Sequence, residues 1–218
     1  MKNISLKKLM LALIMGVAVP CVNAQTSQVA HIGDILCEDN QVVSPANFNA
    51  SSHTPIGVVF YVDNVGKHGW AIDLQDMGSY PWQSSWNDTP LTNYGSQRLA
   101  IYDLDGYRNT EIIYAQYNDS TFSEQFPAFD AVDFESGWYL PTIGQLNYLY
   151  GNLIEVNAGI YAAGGTPFET GTSWKYWSST ESTSQYSWVL FSSGGLEGSY
   201  SKKDSRRVRA ARNFSLDQ

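Results

Sequence analysis

The residues best suited to touch a ligand stand between positions 80 and 94: Tyr80, Trp82, Trp86, Asn87, Asp88 and Tyr94, in a stretch rich in Ser, Asn and Pro. Flat aromatic rings beside amide and carboxylate groups fit a sugar, whose C–H faces stack on rings while its hydroxyls take polar partners. The same tryptophans could instead fold inward under a long loop. A second cluster, Lys202, Lys203, Arg206, Arg207, Arg209 and Arg212, gives the chain one basic edge. Such an edge would either dock an anionic glycan or guard an edge strand against self-association.

Metal and catalytic chemistry find less support. Asp103-x-Asp105-Gly106 opens like a calcium loop, but position twelve is Tyr114 where a bidentate Glu is needed. Asp103, Asp105 and backbone oxygens could still hold a cation, or Asp105-Gly106 is a plain turn. His31, His53 and His68 are scattered, with no His-Glu-x-x-His pattern, so no metal centre and no bound cofactor are expected. Gly66-Lys67-His68 lacks the glycine-rich lead-in and the hydroxyl of a phosphate loop, and no nucleophile elbow occurs. Asp130 and Asp133 read as surface acids. No catalytic residue is assigned, and the chain is expected not to be an enzyme.

The elements that must position these residues follow from composition and pattern. Of 218 residues, 43% are hydrophobic and 16% charged, enough apolar material for a real core. Aromatics at 14% with 18 Gly lean toward short strands and turns. A formal charge of −8 sets aside a broadly basic nucleic-acid binder. Residues 57–62 and the alternation of Trp70, Ile72 and Leu74 predict a hairpin about the turn Asp63-Asn64-Val65-Gly66. A helix is predicted from Asn109 or Thr110 to about Tyr117. A second begins at Thr142, whose Gln145 three residues on makes a capping-box pattern, and leaves by Gly159, Gly164, Gly165 and Pro167. The C-terminal third reads as a meander of strands near 174–179, 186–193, 196–201 and 206–214, with Gly194-Gly195 as a hairpin turn and 202–205 as a polar turn. The fold class expected is α+β, mainly antiparallel short strands with two helices, in one domain over 25–218.

Residues 1–24 read as an export signal: Lys2, Lys7 and Lys8 flank the apolar run 9–19, Pro20 breaks it, and Ala24 precedes the expected cleavage. The run is short of the ~20 residues a bilayer requires, and no later segment approaches that length. Cys21 as a lipid-attachment site is disfavoured by Pro20 immediately before it. The chain is therefore expected outside the cytoplasm, in the periplasm, at the cell surface or beyond, with Cys37 as its one remaining cysteine and no internal disulfide.

The order Gly137-Trp138-Tyr139-Leu140-Pro141-Thr142, a helix, Tyr176-Trp177-Ser178-Ser179-Thr180-Glu181, then Val208-Arg209-Ala210-Ala211-Arg212-Asn213-Phe214 carries a resemblance. It resembles a bacterial domain of unknown function with a C-type-lectin-like fold, related to the C-terminal domain of a collagen-like adhesin and often present in many paralogues per genome. Residues 54–74 and 103–113 look like the N-terminal part of members from gut-type anaerobes, so the resemblance covers about 30–214. It implies a non-catalytic binding or adhesion domain with a glycan or protein ligand, or else a structural subunit of a surface appendage. The formylglycine-generating enzymes share a related fold but need a cysteine pair, which the exported chain lacks. Trp86-Asn87-Asp88 matches the calcium triplet of C-type lectins, though in the wrong half of the chain. Within the signature, Trp138 and Trp177 read as packing anchors, Pro141 as the residue that ends an extended segment, and Glu181 as an ion-pair partner of Arg209 or Arg212.

Overall fold

A computed structural model describes residues 28–117, 119–169, 174–191 and 195–217. The expected leader with Cys21, and Gly194 of the expected hairpin turn, lie outside the described residues. The chain opens with β1 (Ile35–Cys37) and β2 (Val42–Val43), then the expected hairpin of β3 (Pro55–Val62) and β4 (His68–Asp73). Val58 lies opposite Ile72 and Val59 opposite Ala71, and a bulge at Phe60 brings Tyr61 opposite Trp70. After β5 (Gly78–Pro81) come α1 (Gln97–Ala100), α2 (Gly106–Tyr117), α3 (Phe122–Gln125) and α4 (Pro127–Asp130). A 3-10 turn at 134–136 leads into β6 (Trp138–Tyr139), α5 (Ile143–Gly151) and α6 (Leu153–Ala162). The last third holds β7 (Lys175–Thr183), β8 (Tyr186–Phe191), β9 (Gly195–Ser201), β10 (Ser205–Val208) and β11 (Ala211–Ser215).

The α+β class is observed, with six α-helices among the described residues instead of two. Three of these are single turns of four residues, too short to show a period in sequence. α2 starts at Gly106, earlier than expected, because Asp105 Oδ1 accepts the Arg108 amide at 2.9 Å and caps it. Gly106 is therefore a helix residue and not part of a plain turn. A side chain there would lie 2.6 Å from Gln145 Oε1 and 2.8 Å from the Leu140 carbonyl. At α5 the expected capping box is present: Thr142 Oγ1 accepts the Gln145 amide at 3.1 Å, and Gln145 Oε1 accepts the Thr142 amide at 3.0 Å. Gly159 is not a helix exit. It sits inside α6 where a Cβ would come 2.7 Å from Val58, so its bareness lets α6 lie close on β3.

Two sheets result. One is antiparallel throughout, in the order β2-β1-β3-β4-β11-β6; the other runs β5-β10-β7-β8-β9, with β10 and β7 parallel. The single strand expected over 206–214 is broken in two. Val208 ends β10 in one sheet, and Ala211 begins β11 in the other. Arg209 and Ala210 cross between them, both buried.

The core follows the sheets. Ile35, Val58, Phe60 and Ile72 pack with Leu146, Leu149, Val156 and Ile160 of α5 and α6 and with Trp174, Tyr176, Trp188 and Leu190. A second cluster joins Trp82, Ile113, Phe126, Phe129, Trp138, Leu140, Trp177, Val189 and Val208. Among the described residues, no helix is long and apolar enough to cross a membrane.

Candidate functional site

The aromatic segment does not form one face. Trp82 is fully buried; its indole N–H donates to the Ser178 carbonyl at 2.8 Å, and its ring meets Phe129 edge-on at 4.9 Å. This corrects its reading as a ligand contact. The residue follows β5 directly and continues inward under the loop. Tyr80 is half-buried, its hydroxyl donating to Met77 and its carbonyl accepting the Trp177 indole at 2.8 Å. Trp86 stands 52% exposed with the Lys203 ammonium 4.1 Å over its ring, beside exposed Asn87 and Asp88. Tyr94 belongs to a different cleft, described below.

The expected Glu181–arginine clasp is also corrected. Glu181 is fully buried and pairs with Lys202, itself fully buried, while Thr89 Oγ1 donates to its other oxygen at 2.5 Å. Lys202 Nζ also donates to the Asn87 carbonyl at 3.3 Å and lies 4.6 Å over the Trp82 ring. Burial pushes the Glu181 carboxyl up and the Lys202 ammonium down, and their contact opposes both shifts. Arg209 is buried elsewhere: it donates to the Leu74 and Thr166 carbonyls, stacks 4.3 Å over Phe168 and has Nε 3.5 Å from Asp76. Arg212 lies 5.8 Å over Trp138.

The basic edge therefore dissolves. Lys202 and Arg209 are core residues, Arg206 pairs with Asp204, and Arg207 with Asp76 and Glu169. Sequence reasoning missed Asp76, which gathers Tyr176, Arg207 and Arg209 from distant segments. The calcium reading of Asp103 and Asp105 gives way to a folding role. Asp103 Oδ2 accepts from Thr180 at 2.8 Å and Asn109 at 2.9 Å, and its carbonyl accepts Thr142 Oγ1 at 2.6 Å. Burial raises its carboxyl above the usual range. Asp130 and Asp133 are exposed as expected, Asp133 capping the 3-10 turn.

What the fold assembles instead is a cleft of about 860 Å³ between the ends of β3 and β4, the segment 94–105 and β11. Tyr61 and Trp70 stack at 4.2 Å along it, Tyr94 and the 74%-exposed Tyr102 add two more rings, and Asp63, His68, Asp105 and Asn213 supply polar groups. The two strands place Tyr61 and Trp70 side by side through the Phe60 bulge, a register no local pattern announces.

His68 has both ring nitrogens committed: Nδ1 lies 3.0 Å from Asp63 and Nε2 2.9 Å from Asp217. With both ring nitrogens held by carboxylates, His68 ties the start of β4 to Asp63 and to Asp217 at the rim of the cleft. The two carboxylates raise His68, and hydrogen bonds from His68 and the Lys67 amide hold Asp63 down at about 2. NMR titration should accordingly give His68 a pKa above the ordinary 6.5, returning toward it in Asp63→Asn. The pair's contribution to stability is complete between about pH 3.8 and 6.5; it fades as pH climbs through the raised His68 pKa and again as pH falls through the lowered Asp63 pKa.

Neither a family model nor a curated protein matches the chain. It shares its fold with a fimbrial protein from Bacteroides ovatus. The two are 21% identical, with a TM-score of 0.64 over 85% of this chain and 49% of that one. The chain thus spans about half the length of that protein.

Proposed function

We propose that this chain is an exported, non-catalytic subunit of a bacterial surface appendage, built as one C-type-lectin-like domain over 25–218 behind a cleaved leader. The fold it shares with a fimbrial protein carries this reading. A rigid core closed by the buried Glu181–Lys202 pair and packed around the buried indoles of Trp82, Trp138 and Trp177 suits a part that must be fitted into a larger assembly. The signature Trp138, Pro141, Trp177, Glu181, Arg209 and Arg212 serves that rigidity, with Glu181 held by Lys202. The chain should be found in sheared surface fibres by immunogold labelling. Cross-linking on intact cells should trap it with other appendage proteins. Recovery only as a free monomer, with fibres unchanged by its deletion, would overturn the reading.

A second function, ligand recognition at the tip or side of such an assembly, is favoured by the Tyr61–Trp70–Tyr94–Tyr102 cleft. Its rings and polar rim have the make-up of a saccharide site, displaced from the Trp82 segment to the ends of β3 and β4. Tyr102→Ala, at an exposed ring, should leave stability within about 0.5 kcal/mol while weakening glycan-array binding about tenfold or more. A blank array with wild-type protein would remove this reading and leave the assembly role standing.

A further inference from the structure

The segment linking β1 to β3 brings together three side chains of different chemistry. Cys37 closes β1, Asp39 lies in the turn to β2, and His53 precedes β3. Their thiol, carboxylate and imidazole ligand atoms lie within 4.8 Å of one another, with His53 Nδ1 3.3 Å from Asp39 Oδ2. The backbone holds this arrangement from both sides. The Cys37 amide donates to the Gln41 carbonyl at 2.9 Å, and the Glu38 amide to Thr54 at 3.0 Å. Asn40 takes the left-handed φ of 59° that lets so short a turn close. Asp39 Oδ1 accepts the Gln41 amide at 3.2 Å, which leaves Oδ2 for the side of His53. Among the described residues, the hydrogen-bond contact of Cys37 Sγ is a long 3.8 Å one to the Ile35 carbonyl.

We propose that Cys37, Asp39 and His53 form a binding site for a zinc-type divalent cation, with a fourth position open to water or to a group from a neighbouring molecule. The donor set decides the class of metal. Thiolate with imidazole and carboxylate suits a borderline-soft ion that takes four ligands, whereas calcium and magnesium prefer oxygen alone. Bond lengths of about 2.0–2.3 Å place tetrahedral ligands roughly 3.5 Å apart. The imidazole and carboxylate already stand that close at 3.3 Å, so only their spacing from the thiol, at most 4.8 Å, has to shorten, by up to about 1 Å. Asp39 and His53, with side chains 47% and 23% exposed, have room to do so while the buried thiol stays fixed. Without metal, burial and the Asp39 charge push the thiol up to about 11, so it is protonated and unreactive; metal binding releases that proton. The site would tie the β1–β2 turn to the loop before β3 and so brace the edge of the six-stranded sheet.

Cobalt(II) titration of the reduced full-length exported protein tests this directly. A near-ultraviolet thiolate-to-cobalt band is expected, displaced by added zinc, absent in Cys37→Ser, and requiring about tenfold or more metal in His53→Gln and Asp39→Asn. Zinc at about a hundred times its Kd should raise the melting temperature by roughly 5–10 °C in the wild type and not in His53→Gln. The partly exposed His53 keeps the test valid if Cys37→Ser unfolds. A cobalt spectrum with no thiolate band, or zinc stabilisation unchanged in His53→Gln, would overturn the proposal.

Discussion

Lys202→Met should lower stability by about 3–5 kcal/mol, a fall of roughly 10 °C in melting temperature. The loss comes from what stays behind. Glu181 has no solvent access, so removing the ammonium leaves a buried carboxylate with Thr89 as its one side-chain donor among the described residues. The Asn87 carbonyl and the Trp82 ring face lose a cation at the same time. Glu181→Gln combined with Lys202→Met removes both charges and should recover most of the stability, since apolar or neutral replacements of a buried pair are well tolerated. Thermal melts of the two single variants and the double variant give the coupling. If the single losses simply add, the two side chains do not act as a pair.

Trp82→Ala and Trp86→Ala should separate sharply although the residues lie four apart. Trp82 fills the space between Phe126, Phe129 and the Lys202 ammonium, and its truncation should cost about 3–5 kcal/mol. Trp86 is half in water and touches Lys203 and Ser201, so its loss should stay within about 0.5 kcal/mol. Urea denaturation of both variants measures the difference. Equal losses would mean that Trp86 is packed as firmly as its neighbour.

Local signals in this chain read well because their causes are local. The β-branched run before Asp63 and the Thr142–Gln145 box each settle their structure within a few residues, and both are observed. The partners of charged groups did not read, because they are chosen by topology. Arg209 and Arg212 belong to the signature segment that follows Glu181's, yet the break between β10 and β11 carries Arg209 toward Asp76 and leaves Lys202, in the preceding turn, facing Glu181. Lys202 looked like a surface residue because lysine in a polar turn usually is one. The cleft was invisible for a similar reason. By local pattern Tyr61 and Trp70 are plain strand residues, and a bulge in their pairing stacks them at its wall. Cys37 and His53 are sixteen positions apart with no motif between them, so nothing short of the folded turn relates the thiol to the imidazole.

The break at Arg209-Ala210 has a consequence for how the molecule comes into being. β11 fills the gap between β4 and β6, and β10 the gap between β5 and β7. Until both arrive, β6 is cut off from the first sheet and β5 from the second, with raw edges on either side of each gap. Both layers therefore wait on the one stretch 205–215 and close together when it docks.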